Sequence, residues 1–322
     1  MEAFAYANPA TLSEATALLA SSLYDAQVLA GGTDLISLMK DYLLTPATVV
    51  NIKNIKELGG VAKGPGGLRI GATATFDELA SSAVVKTEYP AIHAAVTGLT
   101  SPQLRNMGTA GGDLCQWPRC WYFRNGYGIL AMKDGKSLVP GGENKYHGIF
   151  GGPAYFVSPS SLGPALIALG AKVTLANAAG KRTVDAAKFF VAPKDETTRG
   201  IDLQAGEILT EIVVPPAAGK NATYEIRERE AMDWPLATAS VCLKMSGGKV
   251  ASAKVVLGHV GPVPVDSAKA AEFLAGKSID EATAEQAGAA AVEGAKPLSQ
   301  NGYKVQLAKV AVKRALLAVG KA

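Results

Sequence analysis

Apolar positions along the chain change period more than once, and the changes divide it into segments. Leu12, Ala15, Leu19 and Leu23 recur every three or four residues, which predicts a helix over 11–23. Thr11-Leu12-Ser13-Glu14 has the form of a capping box at its start. A short apolar run at 27–30 reads as a strand, 35–44 as a helix and 49–52 as another strand, together a small βαβ unit. Glycine- and proline-rich turns at 59–60 and 64–67 open a second α/β stretch. It holds a strand at 68–71, a second capping box at Thr75-Phe76-Asp77-Glu78, and a helix over 91–99 begun by Pro90. From Lys172 the pattern turns to β, with strands predicted at 172–175, 207–214, 223–229, 237–245 and 253–260. From Ser267 onward it is helical, over 267–275, 280–293 and 303–319. Strands followed by helices predict an α+β unit at the C-terminal end, with the boundary near 217–221. No repeat of solenoid length appears.

Two glycine-rich turns stand out against this pattern. Ala30-Gly31-Gly32-Thr33-Asp34 lies between the first strand and the second helix, and Gly108-Thr109-Ala110-Gly111-Gly112-Asp113 follows Ser101-Pro102-Gln103-Leu104-Arg105-Asn106. Paired glycines allow positive φ and close approach of a ligand to the backbone. Successive N–H groups in such a turn converge on an anion. Two such nests, far apart in sequence, suit a ligand with two phosphates and a long body, a dinucleotide.

Composition narrows the classes. The chain has 322 residues, 48% hydrophobic and 19% charged, enough for two or three domains with a sizeable core. The net charge of +4 without a dense Lys/Arg run makes nucleic acid a poor partner. No apolar stretch is long enough for a membrane span, and 1–6 lacks the basic and apolar regions of a signal peptide. The three cysteines, Cys115, Cys120 and Cys242, form no disulfide framework, so a reducing cytoplasm is expected unless a signal-bearing partner exports the chain. His93, His147 and His259 have no ligand partners at metal-binding spacing and read as structural or surface histidines. No Ser-His-Asp or Cys-His arrangement can be argued from spacing, and neither a catalytic side chain nor a metal site is expected.

The motifs together resemble the FAD-binding (medium) subunits of the molybdenum hydroxylases, the xanthine dehydrogenase and carbon monoxide dehydrogenase family. The resemblance covers nearly the whole chain. It is carried by Leu29 through Leu35, by Gln103 through Leu114, by Ser158-Pro159-Ser160-Ser161 running into Pro164-Ala165-Leu166, by Gly206 through Ile212, and by Pro297-Leu298-Ser299-Gln300-Asn301-Gly302-Tyr303-Lys304. It implies an α+β fold in which a two-subdomain PCMH/VAO-type FAD-binding unit is followed by a C-terminal α+β domain with an antiparallel sheet and helices. The expected divisions are 1–55, 56–217 with an insertion at about 115–156, and 218–322. FAD would lie against Leu29, Ala30, Gly31, Gly32, Thr33, Asp34 and Leu35 of one loop. It would also meet Thr109, Ala110, Gly111, Gly112, Asp113 and Leu114 of the other, together with Ser161 and Ile208. The Asp34 and Asp113 side chains would cap turns or accept from ribityl hydroxyls while backbone amides take the phosphates. Partners would be a [2Fe–2S] small subunit, which feeds electrons to FAD for an outside acceptor, and a molybdopterin-binding large subunit. A stand-alone flavin oxidoreductase and a scaffold that has lost its flavin are the competing readings.

The chain also departs from this resemblance. Arg119-Cys120-Trp121-Tyr122-Phe123-Arg124-Asn125-Gly126 and 142–151 are similar to the aldehyde oxidoreductase branch, which holds a [4Fe–4S] cluster with four cysteines in this insertion. Here Gly128, Val139 and Ala154 stand near the other expected positions. Three cysteines cannot supply a four-thiolate site, so the cluster is expected to be absent and the insertion to persist as packing or interface. The aromatic group Trp117, Trp121, Tyr122 and Phe123 within it is expected to divide between core and interface. Ser161 stands where relatives usually have Asp. Glu225 stands where they often have Lys, which reverses a Coulomb attraction favouring anionic reduced flavin, with Arg227 or Arg229 to compensate.

Overall fold

The computed structural model describes residues 1–19, 24–99, 101–230 and 233–321. Its first unit is a parallel three-stranded sheet of β1 (Ala5–Ala7), β2 (Ala26–Leu29) and β3 (Thr48–Asn51), in the order β1-β3-β2. Helix α1 (Leu12–Ala17) precedes β2, and α2 (Leu35–Lys40) makes the β2–β3 crossover that a parallel pair requires. Thr11 caps α1 by accepting from the Glu14 amide, while the Glu14 carboxylate returns to the Ala10 amide, one residue before the expected partner. The predicted end of this helix, 20–23, lies outside the described residues. Helix α2 stops before the predicted 44 because Tyr42 turns left-handed, at φ +57°.

The second unit is an antiparallel sheet in the order β4-β5-β10-β8-β9, from β4 (Val61–Gly64), β5 (Gly67–Gly71), β8 (Lys172–Asn177), β9 (Gly180–Asp185) and β10 (Ile208–Val214). Between β5 and β8 the chain forms α3 (Phe76–Ser81), α4 (Ala83–Glu88), α5 (Pro90–Gly98), α6 (Pro102–Met107), α7 (Ala110–Cys115), α8 (Trp121–Arg124) and α9 (Leu162–Ala168). The short α10 (Ala186–Phe189) follows β9. The capping box of α3 is complete, with Thr75 and Glu78 exchanging bonds. Leu68, Ile70, Val173 and Ile212 of the sheet pack with Leu79, Ile92, Val96 and Leu166 of the helices in one buried core.

The insertion carries α8 and a two-residue hairpin, β6 (Met132–Lys133) with β7 (Lys136–Ser137), and is otherwise irregular. Its Trp117, Ile129, Leu130, Ala154 and Phe156 close an apolar cluster with Leu38 and Leu44. The Glu196 carboxylate accepts from the Ile129 and Leu130 amides. On its far side the tail motif holds it. Asn144 Nδ2 donates to the Ser299 hydroxyl, and Asn301 Nδ2 to the carbonyls of His147 and Gly148. The buried Lys304 ammonium donates to the carbonyls of Tyr146, His147 and His259.

The C-terminal sheet runs β11 (Lys220–Ile226), β12 (Ala237–Ser246), β13 (Lys249–Gly258) and β14 (Val265–Asp266), antiparallel throughout. Helices α11 (Ala268–Leu274), α12 (Glu281–Ala291) and α13 (Tyr303–Lys321) pack onto it through Ala239, Val241, Leu257, Ala287, Ala311 and Leu316. Ser267 and Asp280 cap the first two at the positions where the sequence predicts helix starts. The expected strand at 223–229 is displaced toward the N-terminus and ends at Ile226, and β12 begins at Ala237.

Candidate cofactor-binding site

The two glycine turns meet. A Cβ built on Gly31 would fall 1.8 Å from the Met107 carbonyl oxygen, and one on Gly108 would lie 4.0 Å from Thr33 Oγ1. Of Gly31, Gly32, Gly111 and Gly112, only Gly32 has positive φ, at +73°. Thus Gly31 is required for contact between the loops rather than for an unusual torsion.

The turns differ in what their amides do. Among the described residues, the amides of Gly31, Gly32, Thr33 and Asp34 donate to no protein acceptor, and neither does that of Thr109. The rest of the second loop is already bonded. Ala110 donates to Ala74 O at 2.8 Å, Gly111 to Ala72 O at 2.8 Å, Gly112 to Thr109 Oγ1 at 3.2 Å and Asp113 to Thr109 O at 2.9 Å. The expected pair of equal anion nests is therefore one nest beside a capped helix start, because 110–113 is the first turn of α7 and hangs from the β5–α3 connection.

Both aspartate side chains are engaged by protein donors. Asp34 Oδ2 accepts from the Trp117 amide at 2.8 Å. Its Oδ1 accepts from Arg124 Nη2 at 2.8 Å and lies 3.4 Å from Arg119 Nη2. It makes no cap on α2 and instead ties the first loop to the insertion. Asp113 accepts from the Ser160 hydroxyl at 2.5 Å, from the Leu162 amide at 3.0 Å and from the Ser161 amide at 3.3 Å, capping α9 from a distance. Burial pushes its carboxyl up to about 6, against the downward pull of those bonds.

A cavity of about 390 Å³ opens beside the two turns. Ala30, Gly31, Gly32, Thr33, Asp34 and Leu35 line it from the first loop, and Thr109, Gly111, Gly112 and Asp113 from the second. Ser161 and Ile208 complete the predicted lining. Leu29, Ala110 and Leu114 do not face it; Ala110 and Leu114 are core residues. Its walls differ. Leu19, Ala26, Val28, Ile52 and Ile208 make an apolar side continuous with the cluster under α1. Gln116, Arg119, Ser161 and Trp234 make a polar side. Arg199 also lines it, stacked 4.3 Å over Trp117 and donating to the Cys115 carbonyl. Arg199 and Trp234 are not legible as site residues in the sequence, since each arrives from a segment without a motif, and Arg119 belongs to a motif that points to an iron–sulfur insertion rather than to this cavity.

Known proteins match this arrangement along the whole chain. Residues 2–217 match the FAD binding domain in molybdopterin dehydrogenase, and residues 222–319 match the CO dehydrogenase flavoprotein C-terminal domain. The chain belongs to this family. It is 30% identical to the carbon monoxide dehydrogenase medium chain of Hydrogenophaga pseudoflava over 319 residues, 97% of this chain and 96% of that one. It is 29% identical to the aldehyde oxidoreductase FAD-binding subunit of Escherichia coli, covering 96% of each. Among solved structures, quinoline 2-oxidoreductase from Pseudomonas putida 86 superposes with a TM-score of 0.78 at 27% identity, over 99% of this chain and 98% of that one.

For a member of the FAD-binding domain family, the charges around the cavity are arranged unexpectedly. Glu225 is buried, and burial pushes its carboxyl up to about 7, opposed by Arg227 and the neighbouring Ser161 hydroxyl. Arg227 is joined to Glu225 itself, and its Nε and Glu225 Oε1 have no hydrogen-bond partner. Arg229 is exposed and pairs with Asp233. Neither arginine lines the cavity; Arg227 offsets the Glu225 charge by pairing with it, whereas Arg229 pairs with Asp233. The cations on the wall are Arg119 and Arg199.

The insertion does not offer the donor set of an iron–sulfur cluster. Cys120 Sγ lies 3.1 Å from His147 Nε2, and burial raises the thiol and lowers the imidazole to about 4, so both are neutral. Gly128 packs on Glu196, while Val139 and Ala154 are buried apolar residues. Cys242 belongs to β12, and the Cys115 thiol is pushed up to about 11 by burial. Among the described residues, no group of three His, Cys, Asp or Glu side chains could hold a metal.

Proposed function

We propose that the chain is the FAD-binding, electron-transfer subunit of a molybdenum hydroxylase and that the cavity beside Gly31 and Thr109 is where FAD binds. The observation that supports the site is the set of free amides at Gly31, Gly32, Thr33, Asp34 and Thr109 along one cavity wall, a cradle that a diphosphate completes. The Asp34 charge is neutralised by Arg119 and Arg124. Ser161, Ile208, Leu35 and the glycine faces of 111 and 112 supply the remaining contacts.

When bound, FAD supplies the chemistry, accepting single electrons and releasing a pair; the protein binds, orients and tunes it. Leu19, Val28, Ile52 and Ile208 would offer the adenine an apolar surface, and Ser161, Gln116 and Arg119 would offer donors and acceptors to the carbonyls and ring nitrogens of the flavin. No side chain here has an acid–base task in that role. Electrons arrive from a [2Fe–2S] small subunit, substrate is oxidised on a molybdopterin-binding large subunit, and the acceptor is external. The relatives' names, a CO dehydrogenase medium chain and an aldehyde oxidoreductase FAD-binding subunit, support this assembly. We divide the chain at 1–55, 56–217 and 218–322, in keeping with the three larger sheets, which share no strand. We place it in the cytoplasm on its three unpaired cysteines. No helix among the described residues is long and apolar enough to cross a membrane.

The test is purification of the full chain with its neighbours in the complex, followed by a visible spectrum and release of the cofactor. Stoichiometric FAD with a co-purifying molybdopterin subunit is expected. A colourless chain, or one that never associates with such a subunit, overturns the reading.

A further inference from the structure

One residue on the polar wall comes from a different unit than the rest. Trp234 lies in the connection between β11 and β12 of the C-terminal sheet, lines the cavity, and is still 43% exposed. An indole left this open at a cavity mouth has one face available. The Arg119 guanidinium lies 4.6 Å from its ring centroid. Arg119 is itself fixed, donating to Gln116 Oε1 at 3.2 Å and lying 3.4 Å from Asp34 Oδ1. The contacts Trp234–Arg119–Asp34 thus run from the C-terminal sheet, through the insertion, to the loop with the free amides. A cation over an aromatic face is an attractive contact that fixes the ring's place.

We propose that Trp234 is a cofactor-binding residue whose indole covers the flavin ring at the polar end of the cavity, and that Arg119 is the positioning residue that holds it there. This rests on the FAD reading above. The ligand it takes is a planar, electron-poor ring system, since offset stacking on indole rewards such a face. Leu19, Val28, Ile52 and Ile208 also line the cavity and offer the adenine an apolar surface. Closure by an element of the C-terminal sheet also means that the cofactor bridges two units of the chain.

The experiment uses the full chain with FAD and, as a probe lacking the flavin, ADP. Trp234→Ala is expected to speed FAD dissociation about five- to tenfold, the equivalent of one stacking contact, and to leave ADP affinity unchanged. Trp234→Phe, which keeps a face, restores most of the FAD retention. Arg119→Met gives an intermediate rate and, like Trp234→Ala, shifts the long-wavelength flavin absorption band. Unchanged FAD dissociation in Trp234→Ala at full occupancy, or an equal loss of ADP affinity, overturns the proposal. A parent chain that takes up no FAD refutes the underlying reading instead, before any variant is compared.

Discussion

Gly31 faces the Met107 carbonyl so closely that an added methyl would sit 1.8 Å from the oxygen. The obstacle is backbone, which cannot swing aside as a side chain would. Gly31→Ala is therefore expected to separate the two turns, costing about 1–3 kcal/mol as overpacking does, together with loss of FAD. Gly66→Ala is the control, because a Cβ there would meet nothing within 4 Å and Gly66 lies outside the cavity. Thermal unfolding and FAD content of both variants check this. Equal behaviour would mean that loop-to-loop contact is not what Gly31 provides.

The Asp34 side chain makes no cap on α2; it gathers the Trp117 amide, Arg124 and Arg119. Removing the acceptor of a half-buried, charge-assisted cluster leaves the Trp117 amide unpaired and Arg124 and Arg119 short of one partner each. Asp34→Ala is expected to destabilise the protein by about 1–3 kcal/mol and to loosen the insertion before the rest. Limited proteolysis should then cut first within 116–126. If the insertion stays as resistant as in the parent, the cluster does not anchor it.

Much of the fold is legible in the sequence because local chemistry and final structure agree. The caps at Thr75, Ser267 and Asp280 start helices where their side chains can accept from N3 amides. The strands that the pattern does not reveal are short or polar. Ala5–Ala7 is three residues with Tyr6 largely exposed, Val61–Gly64 reads as part of a turn, and Gly180–Asp185 is a charged edge strand. Glycines mark the first turn as a ligand loop. They do not reveal that amides of the second loop bond to the Ala72 and Ala74 carbonyls, a pairing between segments that no motif specifies. Likewise Arg119, Arg199 and Trp234 reach the cavity only through the folding of the insertion, the 190–200 segment and the β11–β12 connection.

Asp113 and Glu225 give the protein a pH dependence with a definite sign. Their folded carboxyls lie at about 6 and about 7, above the ordinary values of 3.8 and 4.5. The folded state therefore binds more protons than the unfolded one between about pH 4 and 7, and stability contributed by these groups falls as pH rises through that window. His147 and His259, held at about 4 and about 3 by burial, act in the opposite direction below pH 6.5, so variant and parent must be compared. Glu225→Gln is expected to gain stability relative to the parent as pH rises from 5 to 7, by at most about 1.4 kcal/mol for each pH unit crossed. Denaturant titrations across that range check it. A difference that is flat in pH would show that the carboxyl ionises normally.

Lys304 fastens the insertion to α13 without any carboxylate. Its ammonium donates to the carbonyls of His259 at 2.7 Å and of Tyr146 and His147 at 3.3 Å each, and burial lowers it to about 7. Lys304→Met fills the space but strips the His259 and Tyr146 carbonyls of their donor and leaves that of His147 to Asn301 alone, which should cost about 1–3 kcal/mol. Amide exchange should then accelerate across 144–150 and leave 68–71 as slow as before. The sign with pH is opposite to that of Glu225. The folded state binds fewer protons than the unfolded one between about 7 and 10.5, so the parent's stability should rise over that span while the Lys304→Met variant lacks the rise. Exchange confined to α13 itself, with 144–150 unchanged, would show that the lysine supports the helix and not the insertion docked on it.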